Sequence, residues 1–387
     1  MLSHQSLTID PQPNLFFGLH AIDRLSEAVR MTGHARALIV TDHGLTATGI
    51  PDTLRDSLQQ AGIESTLYDG IVANPGVVVL DEGMTIARSF GPCAIVALGG
   101  GSSIDVAKGL GMAAVNPGSG RDFDYRNPQQ HPGLPLIAIP TTAGTGAETN
   151  AFGVIDDPEA GEKFYVGHAS MMPRYVIADP LLTVGLPARP TAATGMDALA
   201  HAIEAISAKN TNPMADALGF QAIEMIYAWL PKVVTDGTDI EGRAQMLLAA
   251  HIAGRAFATG TGLGLAHGIA HPLSARAGSV HGEVLAVLLP QVMRFNLRAR
   301  TEVYNRLAQR IGVADPMATA AANAERAIAA IDALPSKLGL ETRLSALGAT
   351  ADMIPSIGEK ALEDEVTLNA PLPPTLEDVT TILKAVI

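Results

Sequence analysis

Asp197 and His201 stand four residues apart, as do His267 and His271, and His281 follows ten residues after the second pair. Residues at i and i+4 lie on one face of an α-helix, about one turn apart, so each pair can aim two side chains at one point. A carboxylate and several imidazoles converging from helices form the donor set of a divalent transition metal. Oxygen and nitrogen donors without thiolate suit Fe2+ or Zn2+, and donor type alone does not separate them. Taken singly, each of these histidines is more often a satisfied core residue than a ligand. The metal reading rests on two paired spacings in a stretch otherwise poor in charge.

A second chemistry is written around Gly99-Gly100-Gly101-Ser102-Ser103, which ends an apolar run and opens a helix carrying Asp105 and Lys108. Glycines let backbone N–H groups approach an anion, and a helix N-terminus adds a favourable dipole. That arrangement suits a pyrophosphate. It is not the Gly-x-Gly-x-x-Gly fingerprint, and no Gly-x4-Gly-Lys-Ser/Thr loop occurs. Gly109-x-Gly111-x-x-Ala114 falls inside the helix and reads as close helix packing. A second loop, Pro140 to Glu148, places the hydroxyls of Thr141, Thr142 and Thr145 at a strand's carboxyl end, where open α/β sheets bind ligands. Another strand closes on Thr41-Asp42. A carboxylate there can accept hydrogen bonds from an adenine-ribose diol and repel a 2′-phosphate, favouring NAD over NADP. Alone, Asp42 reads equally well as a helix or turn cap.

These loops need a parallel sheet beneath them. Ala37–Thr41, Ala94–Leu98, Leu136–Pro140 and Tyr175–Ala178 read as short buried strands alternating with helical patterns such as Pro51–Ala61. After Asp179-Pro180 the strands stop. Long Ala/Leu-rich helical patterns take over, including Gly195–Ala208, Ala215–Leu230, Gly242–Ala258 and Ala318–Ala330. The predicted architecture is an α/β dinucleotide-binding domain over 1–186, with a Rossmann-like parallel sheet, followed by an all-helical metal-binding catalytic domain over 187–387.

Composition bounds the function. Among 387 residues, 47% are hydrophobic and only 4% aromatic, which suits packed helices and parallel strands better than an all-β fold. With 26 basic and 39 acidic residues the net charge is −13, which argues against a nucleic-acid partner. A single cysteine, Cys93, allows neither an intrachain disulfide nor a cysteine metal cage. The stretch Met1 to Phe17 lacks the pattern of a signal peptide, and no apolar run reaches the ~18 residues of a membrane span. The expectation is a soluble cytoplasmic enzyme.

Together these strings resemble the iron-containing (group III) alcohol dehydrogenase family. The resemblance is carried by Gly99-Gly100-Gly101-Ser102-x2-Asp105-x-Ala107-Lys108 and Pro140-Thr141-Thr142-Ala143-Gly144-Thr145-Gly146-x-Glu148. It continues through Gly195-Met196-Asp197-Ala198-Leu199-x-His201 and His267-x3-His271-x9-His281-Gly282, and runs in order over nearly the whole chain, from Phe17-Gly18 through Asn74-Pro75 to Phe295-Asn296. It implies an active site in a cleft between the two domains and an assembly of at least two copies. Asp197, His201, His267 and His281 would be the metal ligands, with His271 beside the metal as a catalytic group near the nicotinamide. Gly99, Gly100, Ser102, Asp105, Thr141, Thr142, Thr145 and Lys163 would contact the cofactor, and Asp42 would select NAD. The implied metal is Fe2+, with Zn2+ as the second candidate.

The chain also departs from the family pattern. Ala147 stands where relatives often carry Ser, and His20 replaces a common Gly. An Asn-Pro-Arg string appears as Asn369-Ala370-Pro371-Leu372. Asn150 and Arg276 occupy positions near the expected substrate site that are less polar in many relatives, which suggests a substrate with a polar or anionic tail.

The implied reaction is reversible hydride transfer between a small alcohol or diol and NAD. No tyrosine has a lysine four residues on, as a short-chain dehydrogenase requires, and one cysteine cannot serve a zinc medium-chain enzyme. Two other readings stand beside it. One is a 3-dehydroquinate-synthase-like lyase, which uses NAD and a Glu/His/His metal site. The other is a non-catalytic NAD- or metal-binding module, in which His271 has no purpose.

Overall fold

The computed structural model describes residues 9, 11–157 and 162–387. By its internal contacts the chain forms two compact units, Pro11–Gly185 and a second built on Leu186–Ile387.

Among its described residues the first unit holds eight strands: β1 (Asn14–Phe17), β2 (Arg36–Asp42), β3 (Glu64–Ile71), β4 (Ala94–Gly99), β5 (Leu136–Pro140), β6 (Phe152–Asp157), β7 (Glu162–Gly167) and β8 (Tyr175–Ala178). Six of them make one parallel sheet in the order β1-β8-β5-β4-β2-β3. The helices α1 (Leu25–Met31), α2 (His43–Thr46), α3 (Ile50–Gln60), α4 (Val77–Phe90) and α5 (Gly101–Ala113) lie between strands in the chain. Every residue of β4, β5 and β8 is buried, as expected for parallel strands covered on both faces. Their continuous apolar runs are what made these strands, with β2, visible in the sequence.

β1 and β3 form the two edges, and their half-exposed, partly polar sequences hide them from an apolar-run criterion. The same holds for the antiparallel hairpin β6–β7, where buried and exposed residues alternate along β6. Inside α5, a Cβ on Gly109 would press Leu80 at 2.6 Å and one on Gly111 would meet Met171 at 3.0 Å, so both glycines serve close packing.

Sheet order fixes where a ligand belongs. From β2 the chain steps outward to β3 and then returns to place β4 on the other side of β2. That reversal is a topological switch point, and open α/β sheets bind ligands at the carboxyl ends of the strands there. Val40 pairs with Ala97 and Gly99 with Pro140. Asp42, Gly99 and Pro140 therefore end three adjacent strands at one edge.

The second unit is helical: α6 (Ala188–Ser207), α7 (Pro213–Thr235), α8 (Ile240–Phe257), α9 (Leu265–Ala277), α10 (His281–Arg310), α11 (Ala320–Asp332), α12 (Leu334–Lys337), α13 (Ile354–Glu363) and α14 (Leu376–Val386). Every residue of α6 from Gly195 to Ser207 is buried, so this is a central helix covered all round. Small residues let its neighbours come close, and Gly195 sits directly beneath Leu230 of α7. α10 departs from helical geometry at Arg300, whose guanidinium donates to Ser207 O (2.9 Å) and Ala208 O (2.8 Å). Those are carbonyls at the end of α6, where a cation is favoured. Among the described residues, no helix is long and apolar enough to cross a membrane.

Candidate active site

Asp197 and His201 project from one face of α6, and His267 and His271 from one face of α9. His281 is the first residue of α10. Asp197 Oδ1 lies 3.2 Å from His201 Nε2 and 3.3 Å from His267 Nε2. One ligand atom from each of Asp197, His267 and His281 falls within 4.8 Å of the other two, and His201 joins this trio through the shared Asp197 oxygen. The His201 and His267 rings stack at 4.7 Å. Asp197, His201 and His267 are all buried.

The donor set suits a cation. His267 Nδ1 sits 2.6 Å from Glu204 Oε2, an ionised acceptor, so Nδ1 carries a proton and Nε2, turned to Asp197, is the nitrogen that would give its lone pair to an ion in place of its proton. Ligand atoms about 2.0–2.1 Å from one tetrahedral ion lie about 3.3 Å apart, which is the spacing seen at Asp197. Burial pulls the His267 imidazole down, but Glu204 and Asp197 outweigh it and hold it up at about 9. Burial likewise pushes Asp197 up, yet the three imidazoles prevail and leave its carboxyl well below the usual range. So much opposed charge, turned to one buried point, is what a divalent ion would share.

Glu204 was not singled out by sequence. It lies seven residues after Asp197, on the same face of α6, and its oxygens also accept Gly264 N–H (2.8 Å) and Ala266 N–H (2.7 Å). It thus caps the start of α9 from another helix while orienting the first histidine on it. Asp364 was missed as well. It follows α13, and its Oδ2 lies 2.7 Å from His271 Nδ1. The His271 ring runs nearly parallel to that of His281, with 5.5 Å between centroids.

Two glycines let the helices carrying these groups approach. A Cβ on Gly282, next to His281, would overlap the carbonyl oxygen of Ala193 in α6 and lie 2.7 Å from its carbon. A Cβ on Gly268, next to His267, would overlap Thr367 Oγ1, which is itself held by Ala361 O at 2.6 Å. Arg189, near the start of α6, forms a two-pronged ion pair of 2.6 and 2.7 Å with buried Glu283 in the first turn of α10.

In the first unit, Gly99 takes φ +147°, a conformation L side chains rarely adopt, as β4 turns into α5. No side chain caps the N-terminus of α5, which leaves that end suited to an anion. Cβ atoms on Gly100 and Gly101 would meet Thr142 at 3.3 Å and Thr145 at 3.0 Å, so the glycine loop and the threonine loop lie against each other. Thr141 N–H donates to Gly99 O at 3.0 Å. Ser102 stands half-buried in the first turn of α5. Asp42 Oδ1 accepts from Leu45 N–H at 3.0 Å, so it caps α2 at the strand end where the switch point lies.

Asp105 and Lys163 are engaged at the β6–β7 hairpin. Asp105 accepts the Val154 N–H of β6 at 3.1 Å. Lys163 pairs with Asp156 across the hairpin at 3.1 Å and reaches Asn74 Oδ1 at 3.4 Å. Lys108 is fully buried and donates to Ala147 O (2.7 Å), Phe152 O and Asn150 Oδ1 (3.2 Å). Burial drives its ammonium down to about 8, against the opposing pull of Asp105 and Glu148.

Asn150 differs from expectation. Its Oδ1 accepts from Lys108 and from Phe152 N–H at 2.9 Å, and its Nδ2 donates to Gly146 O at 3.3 Å. Those bonds brace the loop, which explains a polar residue there without a substrate. Arg276 is exposed in the last turn of α9, where the helix dipole favours a cation and its charge reaches Asp352. In the departing C-terminal string, Asn369 Nδ2 donates to Leu263 O at 2.9 Å, just before α9.

A parallel sheet with a phosphate-type loop at its switch point, and a helical unit presenting a carboxylate and imidazoles to one buried point, together describe metal-dependent dinucleotide oxidoreductases. Residues 12–180 match the family described as iron-containing alcohol dehydrogenase, and residues 191–387 match the C-terminal part of the Fe-containing alcohol dehydrogenase family. The chain belongs to the iron-containing alcohol dehydrogenase family and is an oxidoreductase acting on CH–OH groups. It is 37% identical to the NAD-dependent methanol dehydrogenase of Bacillus methanolicus over 372 residues, covering 96% of this chain and 97% of that protein. It is 36% identical to the lactaldehyde reductase of Escherichia coli K12 over 366 residues, covering 94% and 95%. Among solved structures, a 1,3-propanediol oxidoreductase superposes with a TM-score of 0.93 at 36% identity, covering 98% of this chain and all (100%) of that one.

Proposed function

We propose that this protein is an NAD-linked, iron-dependent alcohol dehydrogenase that interconverts small alcohols or diols with their aldehydes. The observation that carries the reading is the turning of Asp197, His201 and His267 toward one buried point, with His281 alongside. These four side chains would hold the ion. A divalent ion there, Fe2+ with Zn2+ as the second candidate, supplies Lewis-acid polarisation of the alcohol or aldehyde oxygen and brings the alcohol's pKa toward neutrality. NAD supplies the hydride acceptor.

The chain's own residues do the rest. Glu204 fixes the tautomer of His267. The backbone of Gly99 and Gly100, with Ser102, Thr141, Thr142 and Thr145, would cradle the cofactor's phosphates and nearby sugar. Asp42 would hold the adenine ribose. Asp105 and Lys163, taken as cofactor contacts from the resemblance, stand by the hairpin and would act at the margin of that site. His271 would take the alcohol's proton on Nε2 and pass it to solvent, a task suited to imidazole. A strongly acidic chain with one buried cysteine suits a cytoplasmic enzyme, and the family resemblance supports a homodimer or larger homo-oligomer.

The test is to load the purified protein with Fe2+ or Zn2+ and follow nicotinamide absorbance over short alcohols, diols and aldehydes. NADH formation with an alcohol is expected. A silent panel from metal-loaded protein would overturn the reading and favour the lyase or the non-catalytic module. Two further outcomes follow from the assigned roles. His271→Ala is expected to keep the metal and lower kcat by about 100-fold or more; full metal loss on elemental analysis would contradict its role. Asp42→Gly costs α2 only a few tenths of a kcal/mol as a cap, so the fold should survive. Its preference for NAD over NADP should fall by about tenfold, equivalent to about 1.4 kcal/mol, and an unchanged ratio in steady-state kinetics would reject the assignment.

A further inference from the structure

We infer that Asp364 is a positioning residue, one that fixes the tautomer and orientation of His271 so that Nε2 is the nitrogen left to exchange protons. The inference rests on the proton-handling role given to His271 above.

The geometry repeats, one helical turn along α9, what is seen at His267. There, Nδ1 is given to the buried carboxylate of Glu204 and Nε2 is turned to Asp197. At His271, Nδ1 lies 2.7 Å from Asp364 Oδ2, with both side chains nearly buried at 11% and 13% exposure. The other oxygen of Asp364 accepts Val366 N–H at 3.1 Å. A carboxylate offers acceptors only, so at this distance Asp364 favours the tautomer in which His271 donates from Nδ1 and keeps its lone pair on Nε2.

Asp364 is itself well held. Its N–H donates to Lys360 O at 3.1 Å, and its carbonyl accepts Thr367 N–H at 3.0 Å. The hydroxyl of Thr367 is tied to Ala361 O and lies against Gly268 of α9. The segment after α13 thus presses on α9 beside the first histidine and presents a carboxylate to the second. In the forward direction the alcohol would lose a hydride to NAD+ and a proton to His271 Nε2. The proton then leaves to water, and Nδ1–H remains on Asp364 throughout. A partner that holds an imidazole in the correct tautomer contributes large factors to kcat where the imidazole moves a proton.

The test is Asp364→Asn in the metal-loaded enzyme. Asparagine has one acceptor oxygen for two donors, so either His271 Nδ1–H or Val366 N–H loses its acceptor. Expected are a kcat lower by about 10- to 100-fold, full metal content and an unchanged KM for NAD. In a His271→Ala background the same substitution should have no further effect on kcat. A folded, metal-loaded Asp364→Asn enzyme within about twofold of the parent kcat would overturn the inference, as would loss of the metal or an additive effect in the double variant. If His271→Ala alone is as fast as the parent, the role of His271 fails and this inference falls with it. If His271→Ala is slow and Asp364→Asn is not, only this inference fails. Should Asp364→Asn not fold, the 15N spectrum of the Zn2+-loaded parent decides. Its His271 signal, identified by its loss in His271→Ala, must show a protonated Nδ1 and a bare Nε2; the reverse pattern overturns the inference.

Discussion

His267→Ala protein is expected to lose its metal and its activity together. The imidazole is 1% exposed, is oriented by Glu204, and shares with His201 a single Asp197 oxygen. Its removal leaves one donor fewer at a buried point where Asp197 still carries its charge. Lewis-acid polarisation is worth several kcal/mol, and each 1.36 kcal/mol is tenfold in rate, so turnover should fall by about three to four orders of magnitude. Glu204 retains the N–H groups of Gly264 and Ala266, so the start of α9 keeps its cap and the helical unit should still fold. Elemental analysis after dialysis, read beside circular dichroism, checks this. A folded variant that keeps a full equivalent of metal would contradict it.

Gly282→Ala is expected to damage the same site without touching a donor atom. A Cβ there overlaps the Ala193 carbonyl, and backbone cannot swing aside as a side chain end can. α6 and α10 must separate, while the Arg189–Glu283 ion pair resists the movement close by. Overpacking of this kind costs about 1–3 kcal/mol of stability. A 1 Å misplacement of reacting groups can cost about 100-fold in rate. Both a lower unfolding temperature and a drop in kcat/KM of about that size are therefore expected. Activity within twofold of the parent would show that His281 does not need this close approach.

What the sequence made legible follows from how local each signal is. Buried parallel strands such as β4 and β5 read as unbroken apolar runs, whereas β1, β3 and the β6–β7 hairpin, at edges or alternating, offer no such run. The paired i,i+4 spacings exposed the metal side because helical geometry is itself local. Glu204 sits at a compatible i+7 spacing, yet an acidic residue on a helix ordinarily faces solvent, and only its burial beneath α9 distinguishes it. Asp364 had no local signal at all, since 93 residues separate it from His271. Gly282 was visible only as part of a motif; its physical reason is the carbonyl of Ala193. Asn150 reads as polar near the expected substrate site, but its amide braces a loop through Lys108, a contact spanning 42 residues.

Asp197, His201, His267 and His281 are proposed to hold the ion together, and X-ray absorption at the iron edge of Fe2+-loaded protein reads that donor set without an activity assay. A first coordination shell of nitrogen and oxygen alone is expected, with outer-shell scattering from imidazole rings. A sulfur shell, or iron surrounded only by water oxygens, would contradict it.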